Sequence, residues 1–148
     1  MSAHQGPGIL TDWLSLTYVH TIINHELETM LQREFDMSLN EFYVLLFLSE
    51  APEKKLRLQQ LQSMVGLSQS AMSRLVSRFE EKGCGALERK ICDDDRRGVY
   101  TSLTPIGEDK LSKASAAVNL VLERELLGND KIMHGLQAVM SRLNNNQP

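Results

Sequence analysis

The segment ICDDDRRGVY, residues 91–100, places three aspartates directly before two arginines and a glycine. Side chains of these types could form a solvated turn with internal ion pairs, a metal-binding loop, or a contact to an anionic partner. A calcium loop is disfavoured, because its ligands stand at alternate positions and it ends in a glutamate. Internal pairs in a solvated turn would each stabilise by only about 0–1 kcal/mol. The segment alone leaves the solvated turn and the anion contact open.

A second set of polar side chains lies in LSQSAMSRLVSRFEEKG, residues 67–83. Its apolar residues repeat at i, i+3, i+4 and i+7, which predicts an amphipathic helix with these side chains in the core: Met72, Leu75, Val76 and Phe79. The opposite face carries hydroxyl, amide and guanidinium groups: Gln69, Ser70, Ser73, Arg74 and Ser77. No carboxylate precedes Glu80 on that helix. Such groups can bind base edges and phosphate oxygens of nucleic acid.

The other candidates for chemistry are two cysteines and two histidines. Cys84 and Cys92 have no Cys or His partner at zinc-finger spacing, so they are interpreted as reduced thiols. His20 and His25 lie about 140° apart on a helix and do not form a chelating pair. We therefore predict no metal and no cofactor. The absence of a nucleophile elbow and of a phosphate-binding glycine loop predicts that the protein is not an enzyme.

Composition and charge restrict the class of partner. A chain of 148 residues with 42% hydrophobic and 24% charged residues is expected to form one globular domain. It shows no secretion signal and no apolar run near the roughly 20 residues of a membrane span, which predicts a cytoplasmic protein without membrane contact. The net charge of -3 divides into 10 basic and 6 acidic residues over 54–97, and 6 basic and 13 acidic elsewhere. The basic middle favours an anionic partner there.

Periodicity and cap residues predict the elements that carry these side chains. We expect a long helix over 9–35, with Thr11 or Asp12 as its cap, and a second helix that starts at a Ser38–Glu41 capping box. A short helix over 58–65, a turn at Gly66 and a helix from about 68 to 82 form a helix-turn-helix.

The pattern then becomes extended. ALERKI and VYTSL are two strand-length runs joined by CDDDRRG, which predicts a hairpin, and a hairpin after a helix-turn-helix is a wing. Thr104 caps and Pro105 begins a helix to about Leu127, and a last amphipathic helix includes Ile132 to Leu143. The apolar stripes of the terminal helices fit either a bundle within one chain or, in part, a second copy of the chain.

LSQSAMSRLVSRFEEKG followed by DDDRRGVYTSLTPIG resembles the core of the MarR family of bacterial transcriptional regulators. The likeness is closest over residues 61–111, and the order of the flanking helices also fits. Three motifs together carry it: the Ser-rich helix that ends in Glu-Glu-Lys-Gly, the Asp-x-Arg of the hairpin, and Leu-Thr-x-x-Gly. The chain departs from the family pattern at KGCGALERK, which is longer, and this difference bears on how the wing is aimed.

The resemblance implies a mainly α fold with a small β-wing and a single domain over 1–148. Residues 9–36 and 105–144 would be dimerisation helices, and 38–104 a winged helix-turn-helix lobe that binds double-stranded DNA. The implied DNA-binding residues lie on the recognition helix and at the wing: Ser68, Gln69, Ser70, Ser73, Arg74, Ser77, Arg78, Asp95, Arg96 and Arg97. Arg97 would reach the minor groove, with Asp95 orienting it.

The resemblance also implies a homodimer that binds a palindromic site, most simply as a repressor released by a small aromatic or phenolic effector. Candidate effector-binding residues are Trp13, Tyr18, His20 and Phe42, with ordinary core positions as the alternative. Two other functions remain open: a winged helix that binds another protein without reading DNA, and a redox-sensing regulator that uses Cys84 and Cys92.

Overall fold

The computed structural model describes residues 8–80, 84–91 and 99–147. Over these residues the chain forms six α-helices and one three-stranded antiparallel sheet, so the predicted mainly α fold with a small β-wing is confirmed. The helices are α1 Ile9–Phe35, α2 Leu39–Glu50, α3 Leu58–Val65, α4 Gln69–Glu80, α5 Pro105–Gly128 and α6 Asp130–Asn145. The strands are β1 Lys55–Arg57, β2 Leu87–Ile91 and β3 Val99–Leu103, with a 3-10 turn at Pro52–Lys54.

The described residues divide into two compact units. One contains the residues up to Glu34 and those from Ala117 onward, and the other contains Phe35–Ala116. In the first unit α6 packs closely against α1 at Gly135. A Cβ on Gly135 would lie only 3.2 Å from Val19 Cγ2. The buried carboxylate of Asp12 pairs with Arg142. Contrary to the prediction, neither Thr11 nor Asp12 caps α1, since both lie inside this helix, which begins at Ile9.

The second unit contains the predicted helix-turn-helix, and its boundaries follow local backbone chemistry. Ser38 and Glu41 form the predicted capping box at the start of α2. Gly66 ends α3 in the left-handed conformation, with φ 81°, and its N–H donates to the Gln62 carbonyl. The next residue pair, Leu67 and Ser68, leads directly into α4.

The sheet has the strand order β1-β3-β2 and was predicted only in part. The β2–β3 hairpin agrees with the sequence, but β1 is only three residues long and was missed. The inner face of the sheet belongs to the core, where Leu87, Thr101 and Leu103 are buried. Among the helices of the described residues, none has both the length and the apolar character of a membrane span.

Candidate nucleic-acid interface

Helix α4 is fixed in the core of its unit by one face. Met72, Val76 and Phe79 are buried there, and Leu75 is half-buried at the margin of this face. The Ser68 hydroxyl accepts a hydrogen bond from the Ala71 amide at 3.2 Å, which caps the helix as predicted. This anchoring holds the opposite face in a defined orientation.

The opposite face of α4 is polar and open to solvent. Gln69, Ser70, Arg74 and Ser77 are exposed, and Ser73 is half-buried. Arg74 makes no ion pair within the described part of the chain, and the acidic residue at the end of the helix, Glu80, is bound by Arg89. The structure therefore brings these predicted residues together on one surface. Their contact with DNA stays a prediction.

Arg78 lies on the same helix but is bound within the lobe. Its guanidinium donates to Glu41 Oε1 at 3.0 Å and to the Asp36 carbonyl at 2.8 Å. The Glu41 side chain is only 6% exposed, and its other oxygen has no hydrogen-bond partner among the described residues. A charged hydrogen bond to a buried carboxylate is a strong constraint, so Arg78 ties α4 to the start of α2. No local pattern in the sequence indicated this bond to Glu41, and a contact of Arg78 with DNA stays a prediction.

Strand β2 is attached to α4 through Arg89. Arg89 Nε donates to Glu80 Oε1 at 2.6 Å, and its Nη2 donates to the Ser77 hydroxyl at 3.1 Å. Because Ser77 belongs to the exposed face of α4, this contact joins that face to the hairpin. It fixes the strand that leads toward the wing tip relative to the helix.

In the described part of the longer segment KGCGALERK, the chain makes a left-handed bend at Gly85 before β2. Gly85 has φ 61°, and its carbonyl accepts a hydrogen bond from the Thr104 hydroxyl. Thr104 also caps α5, where its hydroxyl accepts from the Gly107 amide at 3.1 Å. A Cβ on Gly107 would overlap the Ala86 carbonyl oxygen, so only glycine fits this position. The Leu-Thr-x-x-Gly motif thus joins the hairpin to α5.

The predicted wing tip lies outside the described residues. This applies to Asp95, Arg96 and Arg97, and also to Cys92. Cys84 is half-buried and lines a pocket of about 280 Å³, where Lys110 Nζ lies 3.8 Å from its sulfur. A redox role for the cysteines stays a prediction.

The four candidate effector residues have different environments. Phe42 is buried in the second unit, as the core alternative requires, whereas Trp13, Tyr18 and His20 are exposed on α1. The Trp13 side chain is 61% exposed, which excludes the core alternative for it. Among the described residues no group of three or more His, Cys, Asp or Glu side chains could hold a metal ion.

A cationic and aromatic cluster was missed by the sequence analysis. Lys55 Nζ and Arg57 Cζ lie 5.3 and 5.4 Å from the centre of the Tyr100 ring. The basic run KKLR was a visible signal, but its proximity to Tyr100 depends on β1, which pairs Arg57 with Tyr100.

Comparisons with known proteins agree with this fold. The model of the MarR family matches residues 35–98, which confirms the resemblance found in the sequence. One similar structure is that of Sco3205, a MarR family transcriptional regulator from Streptomyces coelicolor, in complex with DNA. Its chain is 22% identical in sequence to this one, with a TM-score of 0.73, and the match covers 100% of this chain and 93% of that chain. Wild-type MarR from E. coli, in its apo form, is 22% identical with a TM-score of 0.71, covering 86% and 92%. BldR from Sulfolobus solfataricus is 22% identical with a TM-score of 0.68, covering 91% and 99%.

Proposed function

We propose that this chain is a DNA-binding transcriptional regulator. It matches the MarR family over residues 35–98 and has the fold of solved MarR-family regulators. The observation that carries the proposal is the exposed face of α4, which is polar and cationic. The opposite face of this helix is apolar and packs in the core. In a helix-turn-helix the second helix enters the major groove with its N-terminal residues at the base edges. Gln69, Ser70 and Arg74 are the residues that meet DNA first.

The wing completes the interface in this proposal. Arg97 enters the minor groove beside the major groove that α4 occupies, and Asp95 orients it. A minor-groove arginine reads groove width and negative potential, whereas the amide and hydroxyl groups of α4 read base edges and phosphates. Arg96 adds charge at the same tip.

The regulator binds as a homodimer. Large apolar side chains are exposed on the first unit: Ile9, Leu10, Trp13, Leu14 and Tyr18 on α1, Leu120 and Leu127 on α5, and Met140 and Leu143 on α6. So many exposed apolar side chains indicate a protein-binding surface. A second copy of the chain is the occupant that gives two recognition helices and hence a palindromic site.

Sedimentation of a Leu10→Glu, Leu14→Glu variant tests the dimer. Two charges on this surface should convert a dimeric sedimentation mass into a monomeric one, because carboxylates cannot be buried unpaired. Lys131→Glu, on α6, is the control and should remain dimeric. A wild-type protein that sediments as a monomer at micromolar concentration would contradict the dimer.

The proposal also specifies whether the protein represses or activates transcription and which kind of ligand controls it. The protein acts as a repressor, and a small aromatic or phenolic acid lowers its affinity for DNA. The candidate residues for that ligand on α1 are Trp13, Tyr18 and His20, of which Trp13 and Tyr18 also belong to the proposed dimer surface. The effect is measured by adding salicylate, as a representative phenolic acid, to a preformed complex and following its dissociation by fluorescence anisotropy.

Selection from a random duplex pool at low salt tests DNA binding itself. We expect enrichment of a palindromic sequence and a gel shift with that sequence, weakened by Arg97→Ala. A wild-type protein that enriches no sequence and shifts no duplex would favour the rival function, a winged helix that binds protein. If Arg97→Ala bound DNA with unchanged affinity, the proposed contact of the wing would be wrong, while the proposed contact of α4 would stand.

A further inference from the structure

Ser77, on the exposed face of α4, has a hydrogen-bond polarity that is set by a residue of strand β2. Arg89 Nη2 donates to the Ser77 hydroxyl oxygen at 3.1 Å. A guanidinium has donors and no acceptor, so Ser77 must be the acceptor of this bond. The hydroxyl also carries one hydrogen, which it can only donate to another group.

The hydrogen of the Ser77 hydroxyl has no acceptor within the part of the chain that the structure describes. A serine in a helix can donate to the carbonyl one turn earlier, as Ser63 does to the Gln59 carbonyl at 3.1 Å on α3. Ser77 makes no such bond there. Because Ser77 is exposed, its hydroxyl hydrogen faces solvent and is available to an acceptor on a bound molecule.

Arg89 is held in this position by its strand and by a carboxylate. Strand β2 pairs Arg89 with Thr101, so both side chains project from the face of the sheet on which Thr101 is buried. Arg89 Nε donates to Glu80 Oε1 at 2.6 Å, which is a charge-assisted hydrogen bond. The planar guanidinium thus bridges Glu80 and Ser77 on α4. Glu80 compensates the charge of Arg89, so the site offers a polarised hydroxyl and not a free cation.

The place of Ser77 along α4 favours a phosphate oxygen as the acceptor. In a helix-turn-helix the N-terminal residues of the second helix meet the base edges. Ser77 lies about 12 Å along the helix axis from Gln69, the first residue of α4. At least half of the hydrogen bonds between proteins and DNA go to phosphate oxygens and sugars, and hydroxyl side chains supply some of them. The adjacent guanidinium polarises the hydroxyl, which strengthens its bond to an anionic oxygen.

We propose that Arg89 is a positioning residue for DNA binding, because its bond to Ser77 presents the Ser77 hydroxyl as a donor to a phosphate of the DNA backbone. Arg89 acts through Ser77 in this role. The contact is independent of base sequence, since it involves phosphate alone. It rests on the proposed function, to which it adds the direction of one hydrogen bond and the residue that sets this direction.

Two β-branched substitutions of similar shape test the hydroxyl. Ser77→Thr retains the hydroxyl, whereas Ser77→Val has a methyl group in its place. The affinity of each full-length variant for selected and random duplexes is measured by fluorescence anisotropy at one salt concentration. We expect Ser77→Val to bind both duplexes about tenfold more weakly than Ser77→Thr, on the order expected for one hydrogen bond to a charged group. Ser112→Thr and Ser112→Val, exposed on α5, are the matched controls and should bind DNA equally.

A double-mutant cycle distinguishes positioning by Arg89 from a purely structural role. The pair variant, Glu80→Gln with Arg89→Met, removes the ion pair at constant net charge. It should lower DNA affinity about fivefold in the wild-type background and less than about twofold when Ser77→Val is also present. If Arg89 only held the hairpin against α4, the loss would be the same in both backgrounds. An equal loss would therefore overturn the positioning role. Thermal unfolding of each variant separates a folding defect from a lost contact.

The outcomes distinguish this contact from the proposed function. If the wild type binds DNA and Ser77→Val matches Ser77→Thr on both duplexes, the contact is wrong while the proposed function stands. If Ser77→Val weakens binding to the selected duplex alone, the acceptor is a base edge and the assignment to phosphate is overturned. If the wild type binds no duplex, the proposed function itself fails, and this contact fails with it.

Discussion

Arg78 and Arg74 stand one turn apart on α4 and lie in different environments. Arg78 binds the buried Glu41 carboxylate and the Asp36 carbonyl, whereas Arg74 is exposed on the polar face. Replacing each by alanine should therefore separate stability from DNA binding. Arg78→Ala should destabilise the lobe, and Arg74→Ala should weaken the complex with DNA.

The magnitude for Arg78 follows from the burial of its partner. Removing one partner of a fully buried ion pair costs about 3–5 kcal/mol, whereas an exposed pair is worth about 0–1 kcal/mol. The Glu41 side chain is 6% exposed and that of Arg78 is 48% exposed, so water reaches one partner only. We expect Arg78→Ala to lower the free energy of unfolding by about 1–3 kcal/mol. Glu41 would retain one described hydrogen bond, from the Ser38 amide at 3.3 Å.

Urea denaturation at one protein concentration measures this loss, since a dimer's stability depends on concentration. Arg74→Ala, an exposed substitution, should change the free energy of unfolding by less than about 0.5 kcal/mol while lowering DNA affinity about tenfold. In a cycle with Glu41→Gln, the loss caused by Arg78→Ala should shrink, because the buried charge is gone. An Arg78→Ala protein as stable as wild type, or an unchanged loss in the Glu41→Gln background, would refute this role.

Three further substitutions test other parts of the structure. Gly107→Ala should lower the free energy of unfolding, measured by urea titration, by at least about 2 kcal/mol, because its Cβ would overlap the Ala86 carbonyl. The control Gly128→Ala should change this free energy by less than about 1 kcal/mol, because its Cβ would meet nothing within 4 Å. Ser38→Ala should cost about 1 kcal/mol by loss of the helix cap, against less than about 0.5 kcal/mol for exposed Ser112→Ala. Phe79→Ala should cost about 3–5 kcal/mol and reduce DNA affinity through loss of folded protein; normal thermal stability would contradict its place in the core.

Sequence reasoning succeeded where the signal was local. The capping box of Ser38, the left-handed Gly66 and the Thr104 cap each depend on residues within a few positions, and all three occur as expected. It failed where the partner is distant in the chain. Asp12 was one of two residues expected to cap α1, but it pairs with Arg142. Asn129, the actual cap of α6, was not identified.

The candidate site shows the same division. Periodicity alone separated the polar face of α4 from its apolar face, because core side chains must recur at helical spacing. The Glu41 partner of Arg78 lies 37 residues away, and Tyr100 lies 43 residues from Arg57. No local pattern predicts these contacts. They show what holds Arg78 in the lobe and where the cluster on the sheet lies.

The central claim is that the exposed face of α4 reads base sequence. The most direct measurement is the ratio of affinities for selected and random duplexes, compared between wild type and Gln69→Ala at one salt concentration. Gln69 begins α4, and a glutamine that contacts a base contributes about 1–3 kcal/mol of discrimination. The account predicts that the ratio falls at least about fivefold with little change in affinity for random DNA. An unchanged ratio for Gln69→Ala, and likewise for Ser70→Ala and Arg74→Ala, would contradict it.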